Sequence, residues 1–148
     1  MRALGVDLGD ARIGIAVSDS GGSLASPVCA IDRAPYPDGG HRRIVELVVE
    51  LEVEVVVVGL PLSLDGARSE RALLAEGEAR ALAGLLVPLG IEVETFDERL
   101  TTVAASRAMR STAAKRKAAS RDRGALDQAA AALILQGWLD LRRARSNG

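Results

Sequence analysis

Leu4, Val6 and Leu8 alternate with Ala3, Gly5 and Asp7 at the start of the chain, the period of a half-buried strand with Asp7 on the small-residue face. Gly9-Asp10 signals a tight turn, after which Ile13, Ile15 and Val17 alternate with Gly14, Ala16 and Ser18. The pattern predicts a glycine-rich antiparallel hairpin. A third strand is expected over 23–31, followed by a loop marked by Pro35, Pro37, Gly39 and Gly40. Ile44, Leu47, Val48 and Leu51 recur at helical spacing. The β-branched run from Val53 to Leu60, closed by Pro61, predicts a central strand covered on both faces. A long helix is expected over 68–89. Ile91, Val93 and Thr95 then alternate with Glu92, Glu94 and Phe96 in a strand that delivers Asp97 and Glu98 at its end. Two last helices are predicted over 101–110 and 126–143, separated by a basic stretch.

This order implies a three-layer α/β domain with a mixed five-stranded sheet and helices on both faces. With 148 residues and no repeat or linker, a single domain over 1–148 is expected.

Composition narrows the chemistry. A hydrophobic share of 48% with 26% charged residues fits a soluble globular chain, and the valine run Val55 to Val58 is too short to span a bilayer. Arg2 leads straight into a strand pattern with no apolar leader, so no membrane partner and a cytoplasmic location are expected. Cys29 and His41 are the only residues of their kinds, which excludes an internal disulfide, a Cys/His zinc cluster and easy access to Ser-His-Asp chemistry. Any metal must then be held mainly by carboxylates, and oxygen ligands favour magnesium or manganese. The net charge of −1 hides an asymmetry: Arg107, Arg110, Lys115, Arg116, Lys117, Arg121 and Arg123 face only Asp122 within their stretch. Such a segment suits phosphate binding, and a solvated charged loop ending near Gly124 is an equal alternative.

Three acids stand where chemistry could gather. Asp7 precedes a glycine turn, Glu98 lies where a strand ends, and ligands collect near the carboxyl ends of strands in open α/β sheets. Their bland roles are an Asx-type turn and a solvated cap. Asp127, read as a first-turn acid of the last helix, has a helix-dipole role as its bland alternative. It lies beside Ala129, Ala130, Leu133, Ile134, Gly137 and Trp138, so it should be near the core and need a compensating cation. Three such carboxylates suit a pair of divalent ions about 3.5–4 Å apart at a phosphate.

Four ordered motifs extend this reading: the segment Gly5-Val-Asp-Leu-Gly-Asp-Ala-Arg-Ile-Gly-Ile-Ala-Val-Ser-Asp19, then Val58-Gly-Leu-Pro-Leu-Ser-Leu-Asp-Gly66, Asp97-Glu-Arg-Leu-Thr-Thr102 and Leu126-Asp-Gln-Ala-Ala-Ala-Ala-Leu-Ile-Leu-Gln136. Together they resemble the YqgF (RuvX) family. The resemblance implies a ribonuclease H-like fold related to the RuvC Holliday junction resolvases. It also implies a cytoplasmic metal-dependent nuclease of pre-16S rRNA, with Mg2+ or Mn2+, two ions in the full site, as cofactor. Its acidic centre falls on Asp7, Glu98 and Asp127, as catalytic residues and metal ligands, with Arg12 and Thr101 lining the same cleft. Lys115, Arg116, Lys117, Arg121 and Arg123 are expected to grip phosphates. Ser63 stands where the family often carries Asn, and Ala67-Arg68 replaces a Thr- and Gly-containing turn, which bears on substrate detail more than on catalysis.

Nucleic acid is thus the expected partner, as rRNA precursor or as branched DNA, and a homodimer is left open. With Tyr36, Phe96 and Trp138 as the only aromatics, recognition should be of backbone and shape. Two other classes compete. An actin-like ATPase or sugar kinase shares the Asp7-Leu-Gly hairpin, but those proteins close two such domains on a nucleotide. A non-catalytic nucleic-acid-binding module is opposed by the three intact acids.

Overall fold

The computed structural model describes residues 1–63, 65, 67–101 and 123–147. The helix expected over 101–110 and the basic residues Lys115, Arg116, Lys117 and Arg121 therefore lie outside the described residues, as does the side chain of Arg123.

The expected five strands form one mixed sheet in the order β3-β2-β1-β4-β5. β1 (Ala3–Leu8) and β2 (Arg12–Ser18) make the predicted hairpin, with Asp7 opposite Gly14. Its turn is closed by the Gly9 amide donating to the Arg12 carbonyl at 3.0 Å. β3 (Ala25–Asp32) extends the antiparallel side, with its register shifting between Ile15 and Ala16. Pro27 is tolerated there because β3 is an edge strand. β4 (Val55–Leu60) runs parallel to β1, and β5 (Glu92–Asp97) parallel to β4. The β4 residues are buried throughout, as its unbroken apolar run predicts.

Helices cover both faces. α1 (His41–Glu50) and α2 (Glu70–Leu86) lie on the side of Leu4, Val6, Ile13 and Ile15, packing Ile44, Leu47, Val48, Leu82 and Leu86 against them. Asp38 supplies the start of α1, its carboxylate accepting from the Arg42 and Gly40 amides at 2.8 and 3.0 Å. Ser69 caps α2 through the Ala72 amide, so this helix begins later than 68. It gives way at Val87–Leu89 to a 3-10 turn, where Pro88 can donate no backbone hydrogen bond.

α3 (Arg123–Asn147) covers the other face with Ala130, Ala131, Ile134, Leu135, Trp138 and Leu139. Gln136 ties it to the sheet edge, donating to the Ser23 carbonyl at 3.0 Å and accepting from the Ala25 amide at 2.9 Å.

Two expectations need correction. β1 is buried on both faces from Ala3 to Asp7, not half-buried. Ala3 and Gly5 carry little hydropathy, but their smallness is what lets a helix backbone approach. A Cβ on Gly5 would fall 2.8 Å from the Ala131 carbonyl oxygen. Second, α3 already includes Arg123 and Gly124, so Asp127 lies beyond its first turn. A first-turn dipole role for Asp127 is thereby removed, because that effect fades beyond the first turn.

Candidate active site at the carboxyl ends of the central strands

Asp7 is the last residue of β1 to face α3. Its side has the small residues Ala3 and Gly5 below it and Gly14 beside it on β2. The carboxylate is only 2% exposed and is not without a partner. Burying an ionised acid this fully is costly unless a cation or several donors compensate it.

Glu98 follows β5 as the first residue of a 3-10 turn, Glu98–Leu100, and is likewise 2% exposed. Both sides of this turn are pinned. Asp97 accepts from the Arg99 amide at 2.9 Å and from the Arg99 guanidinium at 2.6 Å, and this pairing holds its carboxyl below the usual carboxylate range. On the other side, Thr101 donates its hydroxyl to the Glu98 carbonyl at 2.8 Å. The Glu98 side chain is thereby sent inward, with Oε1 lying 2.9 Å from where a Cβ on Gly59 would stand. Gly59 is one step beyond the Val6–Val58 pair, which puts it beside Asp7 on the neighbouring strand. A bare glycine here leaves room for a carboxylate to lean over the sheet toward Asp7.

Asp127 arrives from α3. Its peptide rests on Gly14, where a Cβ would fall 2.0 Å from the Asp127 carbonyl oxygen. Since Gly14 pairs with Asp7, the helix backbone carrying Asp127 is brought to the strand neighbouring Asp7. Asp127 is compensated by a side chain of the chain itself: Arg12 Nε donates to Asp127 Oδ2 at 3.0 Å.

The three predicted acids therefore share one end and one face of the sheet. Their side chains are not gathered as a metal shell, because among the described residues no three Asp, Glu, His or Cys groups are placed to hold an ion. The donor set still fits a hard divalent cation. Asp7 and Glu98 are buried oxygen donors at the ends of β1 and β5, on either side of β4, and Asp127 is carried by the helix backbone that rests on Gly14, the residue paired with Asp7.

Of the other expected residues, Arg12 bonds Asp127, and Thr101 supports the Glu98 turn while its methyl packs on Gly137. Asp97 faces away, paired with Leu60 in the β4–β5 register. Sequence reasoning missed the parts played by Gly14 and Gly59. The alternation of the small residues Gly14 and Ala16 with Ile13, Ile15 and Val17 was the available signal for Gly14. It also missed a charged cluster beneath the hairpin turn: Arg33 donates twice to Glu78, at 2.6 and 3.0 Å, and His41 lies 2.8 Å from the same carboxylate. Burial pushes the Glu78 carboxyl up, but the bonds from Arg33 and His41 outweigh it and leave the group below its ordinary value. Beside this cluster a cleft of about 180 Å3 opens, lined by Gly9, Asp10, Arg33 and Arg71 among others.

Solved structures of similar shape include Thermus thermophilus RuvC bound to a Holliday junction substrate, at TM-score 0.58 and 18% identity over 97% of this chain and 96% of that one. The yeast mitochondrial Holliday junction resolvase Ydc2 follows at TM-score 0.53 and 13% identity, over 93% and 77% of the two chains. At such identities these neighbours show the fold, which is the ribonuclease H-like one expected. Sequence relatives are much nearer. A protein of Mycobacteroides abscessus is 45% identical over 96% of this chain and 82% of its own length. One of Mycobacterium leprae is 47% identical over 97% and 74%. Both carry the provisional name pre-16S rRNA nuclease. The family model for RuvX, described as Holliday junction resolvase, matches residues 1–141. With nearly the whole chain matched, the protein belongs to the RuvX family.

Proposed function

We propose that the chain is a divalent-metal-dependent endonuclease that hydrolyses phosphodiester bonds of pre-16S rRNA near its mature 5′ end, acting in the cytoplasm as one domain over 1–148. The observation that carries the chemistry is the pair of buried carboxylates, Asp7 and Glu98, at the ends of β1 and β5 on either side of β4, with Asp127 delivered to the same end and face of the sheet by the docking of α3 on Gly14. The names of the mycobacterial relatives support the substrate. In this reading Asp7, Glu98 and Asp127 hold two ions, Mg2+ or Mn2+. When bound, such ions activate the attacking water and stabilise the leaving oxygen.

The residues of the chain have separable tasks. Asp7 and Glu98, held rigidly by β1 and by the pinned 3-10 turn, orient the phosphate relative to the water. The apolar flanks Val57, Ile134 and Phe96 keep bulk solvent from beneath it. Trp138 and Phe96 are buried and Tyr36 is the single exposed aromatic, which leaves little surface for stacking bases. Binding then depends on phosphate contacts, supplied by Arg12 and by Lys115, Arg116, Lys117, Arg121 and Arg123.

A second substrate, branched DNA, is favoured by the family description and by the junction bound to the Thermus neighbour. Cleavage of a pre-16S rRNA 5′ leader fragment and of a synthetic four-way junction, each with Mg2+, Mn2+ or chelator, tests both. We expect metal-dependent cutting of the RNA, abolished in Asp7→Asn with the fold retained. Cutting of the junction alone would transfer the substrate to DNA. Unchanged turnover in Asp7→Asn would remove the acidic centre.

A further inference from the structure

Asp127 does not wait for a metal with an idle side chain. Its carboxylate is held by Arg12 at 3.0 Å, and both side chains are largely covered, at 16% and 23% exposure. Backbone constraints keep the partners together. Arg12 opens β2 two residues before Gly14 and so projects from the same face of the sheet, while the Asp127 peptide rests on Gly14 itself. A partly desolvated contact of this kind is stronger than a surface ion pair.

Only one of the three guanidinium nitrogens is engaged among the described residues. Nε makes the bond to Asp127, whereas the two terminal nitrogens make no hydrogen bond among the described residues and are not buried. The donor geometry that engages a carboxylate also matches phosphate oxygens, so the fork can serve either partner once released from the other.

Building on the metal-dependent reading above, we propose that Arg12 is an internal competitor for Asp127. It neutralises the carboxylate while no divalent ion is bound, yields it when Asp7 and Glu98 take an ion, and then turns its freed guanidinium to a substrate phosphate. Arg12 is a positioning residue in the first state and a substrate contact in the second. The exchange links the two events: Asp127 cannot satisfy both cations fully, so metal occupancy and phosphate capture by Arg12 favour one another. By thermodynamic reciprocity each raises the affinity for the other by the same factor.

The test reads metal binding without turnover. Mn2+ is titrated into the full chain and the free ion is followed by its electron paramagnetic resonance signal. The proteins are wild type, Arg12→Ala, Asp127→Asn and the double variant, with folding checked by circular dichroism. Loss of the competitor should tighten Mn2+ binding roughly fivefold or more in Arg12→Ala. The same substitution should change affinity less than about twofold in the Asp127→Asn background, since the competition through Asp127 is already gone there. Arg12→Gln removes the charge while keeping the length, and takes the place of the alanine variant should that fail to fold. A second measurement uses a non-cleavable phosphorothioate single strand. The salt slopes of wild type and Arg12→Ala should coincide without metal and differ by roughly 0.7 with Mn2+, one phosphate contact. Unchanged or weaker Mn2+ binding in Arg12→Ala, or equal effects in both backgrounds, overturns the competition and leaves the metal reading standing. Absence of Mn2+ binding by the wild type overturns both. Salt slopes that differ equally with and without metal refute the exchange of partners.

Discussion

Replacing Gly14 by alanine should damage the protein at one place, the seat of α3 on the hairpin. A Cβ at this position would lie 2.0 Å from the Asp127 carbonyl oxygen and 2.4 Å from its carbon, and Cβ contacts under 3.0 Å essentially never occur. Both obstructing atoms are backbone, so no rotamer change relieves them, and strand and helix must separate by about 1 Å, from 2.0 to 3.0. Overpacking of this kind costs about 1–3 kcal/mol. For a chain of this size that lowers Tm by about 3–10 °C. Displacement also moves Asp127 relative to Asp7, and an error of about 1 Å in a catalytic group reduces turnover on the order of 100-fold. Gly84→Ala is the matched control. Its Cβ would meet nothing within 4 Å in the last turn of α2, so a neutral effect or a gain of less than about 1 kcal/mol is expected from helix propensity. Thermal melts and single-turnover cleavage on both variants check the pair. A Gly14→Ala protein with unaltered Tm and full cleavage would refute the docking argument; equal losses in both variants would trace the damage to glycine content in general.

Glu98→Gln should lose cleavage by at least about 100-fold while Asp97→Asn keeps most of it, since Asp97 bonds Arg99 on the turn and faces away from the site; equal losses would mean the wrong carboxylate is assigned. Glu78→Gln should cost about 1–3 kcal/mol at neutral pH by leaving Arg33 short of its partner. Because the folded-state pKa of Glu78 is depressed, its contribution is present above the ordinary value of 4.5 and is lost as pH falls below it. Urea titrations at several pH values should therefore show the gap between wild type and variant closing in acid, and a constant gap contradicts the assignment. The triple change of Lys115, Arg116 and Lys117 to alanine should weaken oligonucleotide binding most at low salt and flatten the salt slope by roughly 0.7 for each phosphate no longer gripped, with cleavage at saturation little altered. An identical slope leaves that stretch without a role in capture.

Much of this was legible in the chain itself. Alternation placed the hairpin and the edge strand ending at Asp97, and the uninterrupted run from Val55 to Leu60 marked a strand covered on both faces, because side-chain period follows directly from backbone geometry. With one cysteine and one histidine in the chain, any metal had to be held mainly by carboxylates, and the ordered motifs pointed to the family. Tertiary structure decided the rest. Hydropathy reads Ala3, Gly5 and Gly14 as a weakly apolar, exposed face, but missing side chains are what admit the α3 backbone, and that close approach exists only once helix and sheet meet. Likewise the partner of Asp127 is 115 positions away in sequence, and no local pattern encodes a pair at such separation. Which acid is buried, which turns outward and which is held by an arginine depend on three chain segments converging on one end of the sheet. That convergence is a property of packing, where apolar burial outweighs the cost of bringing the carboxylates together.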